Sequence, residues 1–172
     1  MRSAIDLDAK TDRELDQWIA NHERVARRTG TVQPLYRQLL EERARRTQAK
    51  HKLNLERSLE SLQSAAVGQV CIRYGDLAAA SGIKWTQAHH QMNGPGGHLD
   101  RLFDLCHARG LPPLTAICVN QAGIISGELD EGALAGFVAA ARRLGFLITD
   151  ERGFHRQCRE ECWSWGRQKS GV

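Results

Sequence analysis

The sequence has no apolar run that approaches the roughly 18 residues needed to cross a bilayer, which excludes a membrane-spanning helix. Residues 1–10 contain Asp6 and Asp8 but no apolar stretch, so we expect no secretory signal peptide. The five cysteines are odd in number and irregularly spaced, and without an export signal we expect reduced thiols in a cytoplasm. The 172 residues, 41% hydrophobic and 26% charged, therefore predict one globular domain of ordinary size, with or without a helical appendage.

Arrangements typical of thiol catalysis and of metal sites are also missing. Cys106 and His107 are adjacent, and neighbouring side chains on a helix diverge by about 100°, so the two cannot form a nucleophile–base pair. His155, Cys158 and Cys162 would share one helix face, but the second ligand pair of a structural zinc site does not follow them. We therefore predict that the protein is not an enzyme and holds no metal.

The glycine-rich loop at 93–97 lacks the features of a nucleotide-binding loop. It leads into a helix start, where free N–H groups and the helix dipole favour an anion. It has neither the Gly-Lys-Ser/Thr ending of a P-loop nor the spacing of a dinucleotide fingerprint. We predict a connector, with a nucleic-acid phosphate as the anion it could accept, and no cofactor.

Residues 1–47 are predicted to form a helical hairpin. Thr11 and Glu14 have the spacing of a capping box, in which the hydroxyl and the carboxylate each satisfy a free backbone N–H at a helix start. A second helix is expected from Pro34, because proline suits a first turn. The hairpin has an apolar face that must pack on the rest of the chain, on a second copy in a homodimer, or on a protein partner. A polar linker is expected at 48–53.

Residues 54–166 are predicted to form a winged-helix-like domain, which makes the whole chain a mainly helical α+β protein with a small sheet. Helices are expected to alternate with short strands along this segment. The strand candidates are residues 70–74, 114–120, 124–125 and 146–148. The last helix is expected to end at Gly166, which leaves 167–172 as a flexible tail.

Lysine and arginine outnumber aspartate and glutamate by 24 to 20, and the excess lies at the two ends of the chain. The densest basic run, which has no acidic residue between Arg43 and Leu55, could attract a phosphate backbone by releasing its counterions. The alternative is a solvated helix end or linker. The residues predicted to contact phosphates are Arg43, Arg45, Arg46 and Lys50.

Residues 75–93 have the pattern of a helix-turn-helix, with two short helices joined by a tight turn after Gly82. In that motif the second helix presents polar side chains to the major groove of DNA, where glutamine and asparagine can pair with adenine. Trp85, Ala88 and Met92 share a face that we expect to point inward. The same motif also occurs as a packing unit that touches no nucleic acid. The residues predicted to contact DNA from this helix are Lys84, Gln87, His90, Gln91 and Asn93.

The segment GQVCIRYGDLA, residues 68–78, resembles the entry into the winged helix of alkyltransferase-like proteins, which bind DNA through the second helix of the motif. The resemblance covers roughly residues 62–120. The Pro-Cys-His-Arg motif of the transferases is missing, and the chain has only the pair Cys106–His107 late in a helix, so alkyl transfer is not implied. Residues 106–120 also resemble small uncharacterised bacterial proteins found near mobile elements and restriction genes.

These observations predict a non-enzymatic accessory or regulatory protein that binds duplex DNA and has no membrane partner. The alternative is a protein-interaction module that acts on a host or mobile-element nucleoprotein complex. A third hypothesis, an enzyme acting on nucleic acid or a small molecule, requires a cleft that brings Cys106 and His107 to an acidic group.

Overall fold

The computed structural model describes residues 5–171, and they form a mainly helical α+β fold, which confirms the predicted fold class. Within these residues no helix combines the length and the apolar composition needed to span a bilayer. Two short 3₁₀ turns lie at Leu114–Ile117 and Gln121–Gly123. The helices and strands are α1 (Asp12–Thr29), α2 (Pro34–Gln48), α3 (Leu55–Val67), β1 (Ile72–Arg73), α4 (Tyr74–Ala80), α5 (Trp85–Met92), α6 (His98–Ala108), β2 (Cys118–Val119), α7 (Glu131–Arg143) and α8 (Glu151–Ser170).

Side-chain caps fix where most of the long helices begin. The predicted capping box is present, with the Glu14 carboxylate accepting from the Thr11 N–H at 2.8 Å and the Thr11 hydroxyl accepting from the Glu14 N–H at 3.2 Å. The Asn54 side chain accepts from the third residue of α3 at 3.0 Å. Asp130 and Asp150 cap α7 and α8 in the same way. Each cap satisfies an N–H that the helix itself leaves without a partner.

The apolar face of the hairpin formed by α1 and α2 lies in the core that the whole chain shares. Leu15 and Ile19 from α1 and Tyr36, Leu39 and Leu40 from α2 are almost completely buried, and α2 packs against α6. The same chain therefore covers this face. Of the three predicted ways to cover this face, the structure shows packing on the rest of the chain for these five side chains, while Val25 of α1 stays 42% exposed.

The sheet has two strands within residues 5–171, and they are parallel. Ile72 lies opposite Cys118, and Arg73 lies opposite Val119. Parallel strands need a crossover connection, and α4, α5 and α6 supply it between β1 and β2. The two short helices α4 and α5 are thus part of the crossover, and β1 directly precedes α4.

Three of the strand predictions are partly or wholly wrong. Residues 114–117 form a 3₁₀ turn, because Pro112 and Pro113 fix the backbone and their carbonyls accept from Leu114 and Ala116; only 118–119 are extended. Residues 124–125 lie in a turn, and 146–148 contain no strand since no neighbouring strand pairs with them. An apolar run predicts burial, but a strand also needs a partner for its hydrogen bonds.

The last helix continues past Gly166 to Ser170, so the prediction of a flexible tail from 167 is wrong for residues 167–170. Gly166 is buried where α8 crosses α3, and a Cβ there would lie 2.1 Å from the carbonyl oxygen of Ala66. Glycine therefore serves the close approach of two helices at this position and does not end α8. Residue 172 lies outside the described residues.

Candidate functional site

The helix-turn-helix forms as predicted from α4, a tight turn and α5. Ser81 follows α4, Gly82 adopts the left-handed conformation with φ of 72°, and Lys84 is the N-cap residue of α5. The hydroxyl of Ser81 also accepts from the Asn54 N–H at 2.8 Å, which ties the turn to the start of α3. Ala88 and Met92 hold α5 on the core, where both are almost completely buried.

The polar face of α5 is open to solvent. Lys84, Gln87, His90 and Asn93 are exposed, as the sequence predicts. Gln91 is half-buried, and its side-chain oxygen is covered without a hydrogen-bond partner among the described residues. The face offers one charged and three uncharged polar side chains, a composition suited to hydrogen bonding with base edges.

Trp85 does not point inward, so that prediction is wrong. Its side chain is among the exposed large apolar groups, with the residue 41% exposed. The ring stacks on Tyr74, which packs against the core, with the ring centres 6.3 Å apart and the planes 25° apart. On its other side Trp85 contacts His89 with 6.1 Å between ring centres. Tyr74 takes the inner position, and Trp85 therefore adds an aromatic surface beside the polar face of α5.

The predicted basic run is paired with carboxylates of the same chain. Lys50 contacts Asp12 at 3.3 Å, and Arg46 contacts Asp12 at 3.0 Å while also donating to two backbone carbonyls before α1. Arg43 contacts Asp16 at 3.0 Å, and Arg45 contacts both Asp8 and Glu42. The acidic partners lie mostly at the start of α1. These pairs weaken the positive potential that the run would present to a phosphate backbone.

A cleft of about 790 Å³ lies between the hairpin, the loop that follows α5, α6 and α7. It brings Asn93 together with Arg43, Arg46 and Lys50 of the predicted site. Arg45 and the four other predicted residues of α5 lie outside its lining. The side of α7 that faces the cleft carries small residues, which leaves the space open. They are Gly132, Ala133, Gly136, Ala139 and Ala140.

Arg101 lies in the wall of this cleft and was missed by the sequence analysis. The residue is only 7% exposed, and all three guanidinium nitrogens are covered without a hydrogen-bond partner among the described residues. Thr115, 5% exposed, lines the same cleft with its hydroxyl likewise without a partner. Burial lowers the pKa of Arg101. The sequence signal was a charged residue at helical spacing with His98 and Leu105.

His98 adds no compensating charge beside Arg101. Its Nε2 and the hydroxyl of Ser58 lie 2.8 Å apart in a buried hydrogen bond, and its Nδ1 has no partner among the described residues. Burial, reinforced by the positive charge of Arg101, lowers the pKa of His98 to about 3. His98 is therefore neutral near pH 7, and it neither adds to nor offsets the positive charge of Arg101.

Four of the five cysteines lie outside the lining of this cleft, and the fifth, Cys118, is a buried residue of its wall. All five are free thiols, and burial raises the pKa of Cys106 to about 12, which disfavours the thiolate that a nucleophile requires. His155 is buried with its Nε2 2.9 Å from the Ala116 carbonyl oxygen, and Cys162 donates to the Pro113 carbonyl oxygen at 3.4 Å. Within residues 5–171 no three histidine, cysteine or acidic side chains are grouped to hold a metal ion.

Comparison of the chain with protein-family models, with curated proteins and with solved structures finds no match in any of the three. The resemblance of residues 68–78 to alkyltransferase-like proteins therefore stays a prediction. The function is argued below from the geometry of the described residues.

Proposed function

We propose that the protein binds duplex DNA through α5, as a non-enzymatic accessory or regulatory protein in which α3, β1, α4 and α5 form a winged-helix-like unit. The observation that carries this proposal is the free polar face of α5. Gln87, His90 and Asn93 reach solvent with no other element over them, while Ala88 and Met92 hold the helix rigidly on the core. A rigid helix with a polar outer face fits the major groove.

In this proposal two lysines beside the turn make the main contacts to DNA phosphates. Lys84 begins α5, and Lys52 lies two residues before Asn54, whose N–H is bonded to Ser81 in the turn. Both lysines are exposed, and neither forms an ion pair within residues 5–171. The predicted contacts from Arg43, Arg45, Arg46 and Lys50 require the ion pairs to α1 and to Glu42 to open, so they rank second.

The experiment is a fluorescence-anisotropy titration with duplex DNA, single-stranded DNA and RNA at two salt concentrations. We expect duplex affinity to fall steeply with salt, and Lys84→Ala to reduce the slope of log affinity against log salt by about 1. Gln87→Ala should lower the preference between duplex sequences by about 1–3 kcal/mol and change the slope little. Gln168→Ala, an exposed glutamine near the end of α8, is the matched control. Absence of duplex binding at low salt would refute the proposal.

A second candidate function, a module that binds a protein of a nucleoprotein complex, is favoured by one surface away from α5. Leu147 is 85% exposed and lies next to Phe146, and Gly145 brings this loop against Ala26 of α1, beside the exposed Val25. After nuclease digestion, a pull-down should retain a partner that Leu147→Ser loses. Ile125→Ser, at a 98% exposed site in another loop, should retain it.

A further inference from the structure

Arg101 is a buried cation that the fold leaves without a partner. Arginine cannot release its proton near pH 7, so burial does not neutralise it as it would a lysine or a histidine. An uncompensated buried charge costs several kcal/mol, and native structures nearly always pair such groups with protein, water or ligand. All three guanidinium nitrogens lack a protein partner within residues 5–171, and the residue stands in the wall of the 790 Å³ cleft.

The other arginine and lysine side chains of the cleft already have partners. Arg43 pairs with Asp16, Arg46 and Lys50 pair with Asp12, and Arg143 pairs with Asp104. Asp12 and Asp16 lie on the hairpin side of the cleft, where they would repel a chain of phosphates. The charge distribution therefore favours a ligand with one oxyanion over a nucleic-acid backbone.

The shape and chemistry of the cleft agree with a small molecule. A volume of about 790 Å³ lies within the usual range of small-molecule sites. The hydroxyl of Thr115 is a second hydrogen-bonding group in this wall; like the Arg101 nitrogens it is covered and has no partner among the described residues. The glycine loop contributes less to anion binding, because the Gly96 N–H already donates to the Asp100 carboxylate at 2.9 Å.

We propose that this cleft binds a small molecule carrying a carboxylate or phosphate group, and that the guanidinium of Arg101 pairs with that oxyanion. Planar guanidinium matches both oxyanions through two parallel hydrogen bonds. In the structure its nitrogens are covered, so binding requires the flexible side chain to rotate toward the cleft. The proposal does not rest on DNA binding, and the main test, a measurement of melting temperature, contains no DNA.

The main test measures the melting temperature in sodium phosphate, sodium acetate and sodium chloride at matched ionic strength, and with added AMP as a small phosphate-bearing molecule. We expect phosphate, acetate or AMP to raise the Tm of the wild type by about 3–6 °C at ten times its Kd, relative to chloride. Arg101→Met should abolish the rise. Arg57→Met, at an exposed arginine with no side-chain partner within residues 5–171, should keep it. A wild type that responds to none of the three, or an Arg101→Met variant that responds equally, would overturn the proposal.

A second variant keeps the test decisive if Arg101→Met does not fold. Gly136 is exposed on the cleft side of α7, and a Cβ there meets nothing within 4 Å. Gly136→Leu should preserve the fold, since leucine suits a helix better than glycine, and should weaken AMP binding more than tenfold by filling the cleft. Equal AMP affinity in this variant and the wild type would contradict a ligand in the cleft.

A titration with duplex DNA distinguishes a nucleic-acid phosphate from a small molecule as the source of the oxyanion. If a phosphate of DNA is the natural occupant, Arg101→Met will lower duplex affinity and duplex DNA will compete with AMP. That outcome would overturn the assignment to a small molecule. Unchanged duplex affinity together with a lost AMP response supports it, whether or not α5 binds DNA.

Discussion

Arg143 and Arg101 line the same cleft, but their electrostatic surroundings are opposite. Arg143 reaches from α7 to Asp104 and Asp100 on α6 and to Glu23 on α1, where the Tyr36 hydroxyl also donates to Glu23 at 3.3 Å. Burial opposes its charge, yet these carboxylates raise the pKa of Arg143. Arg101 has no hydrogen-bond or ion-pair partner within residues 5–171, and burial lowers its pKa. Carboxylates of α1 and α6 compensate the charge of Arg143, which α7 carries. No group within residues 5–171 pairs with Arg101, so its compensation has to come from a group outside these residues.

The largest expected effect is the loss of Arg143. Arg143→Met leaves Asp104 and Glu23 buried without their cation, and breaking a buried ion pair in this way costs about 3–5 kcal/mol. Urea denaturation at pH 7.5 measures the free energy of unfolding. Arg142→Met removes the neighbouring exposed arginine and its contact to Glu151, and should cost less than about 1 kcal/mol. Equal losses in the two variants would show that the buried cluster does not stabilise the hairpin.

Arg101→Met should change the free energy of unfolding in the opposite direction from Arg143→Met. It removes a buried charge that no group compensates and fills the same space with an apolar side chain, so we expect unfolding to become harder by about 1–4 kcal/mol in chloride buffer. The same urea titration measures it. A loss comparable to that of Arg143→Met would mean that Arg101 stabilises the fold, and the contrast between the two arginines would disappear.

Features set by neighbouring residues were predicted well. The capping box at Thr11 and the turn at Gly82 depend on a few adjacent residues, and the structure contains both. The mainly helical fold and the exposed polar residues of α5 follow from helical spacing in the same way. The parallel pairing of β1 with β2 was not predictable, because the sequence does not say which extended segments meet across a crossover.

The electrostatics of the site depend on contacts between distant parts of the chain, and the sequence did not predict these contacts. The basic run at 43–50 meets Asp8, Asp12 and Asp16, which lie about 30 residues earlier and become neighbours only when the hairpin closes. Arg101 lies on α6, where every residue from Arg101 to Cys106 is buried. Which faces of a helix become buried is decided by the elements packed around it, and helical periodicity alone does not predict burial on all of them.

The smallest expected effect uses pH to test the surroundings of Arg101. The folded-state pKa of His98 is about 3 against an ordinary 6.5, so at pH 5 the unfolded chain binds a proton that the folded protein does not. The free energy of unfolding should therefore fall by about 2 kcal/mol from this group as pH drops from 7 to 5. His98→Gln can keep the hydrogen bond to Ser58, and its free energy of unfolding should fall by about 2 kcal/mol less than that of the wild type over this pH range. His90→Gln, on the open face of α5, is the control and should lose as much stability as the wild type. Because the charge of Arg101 contributes to the shift, Arg101→Met should also lose less stability on acidification than the wild type. An acid response of Arg101→Met equal to that of the wild type would place the positive charge away from His98.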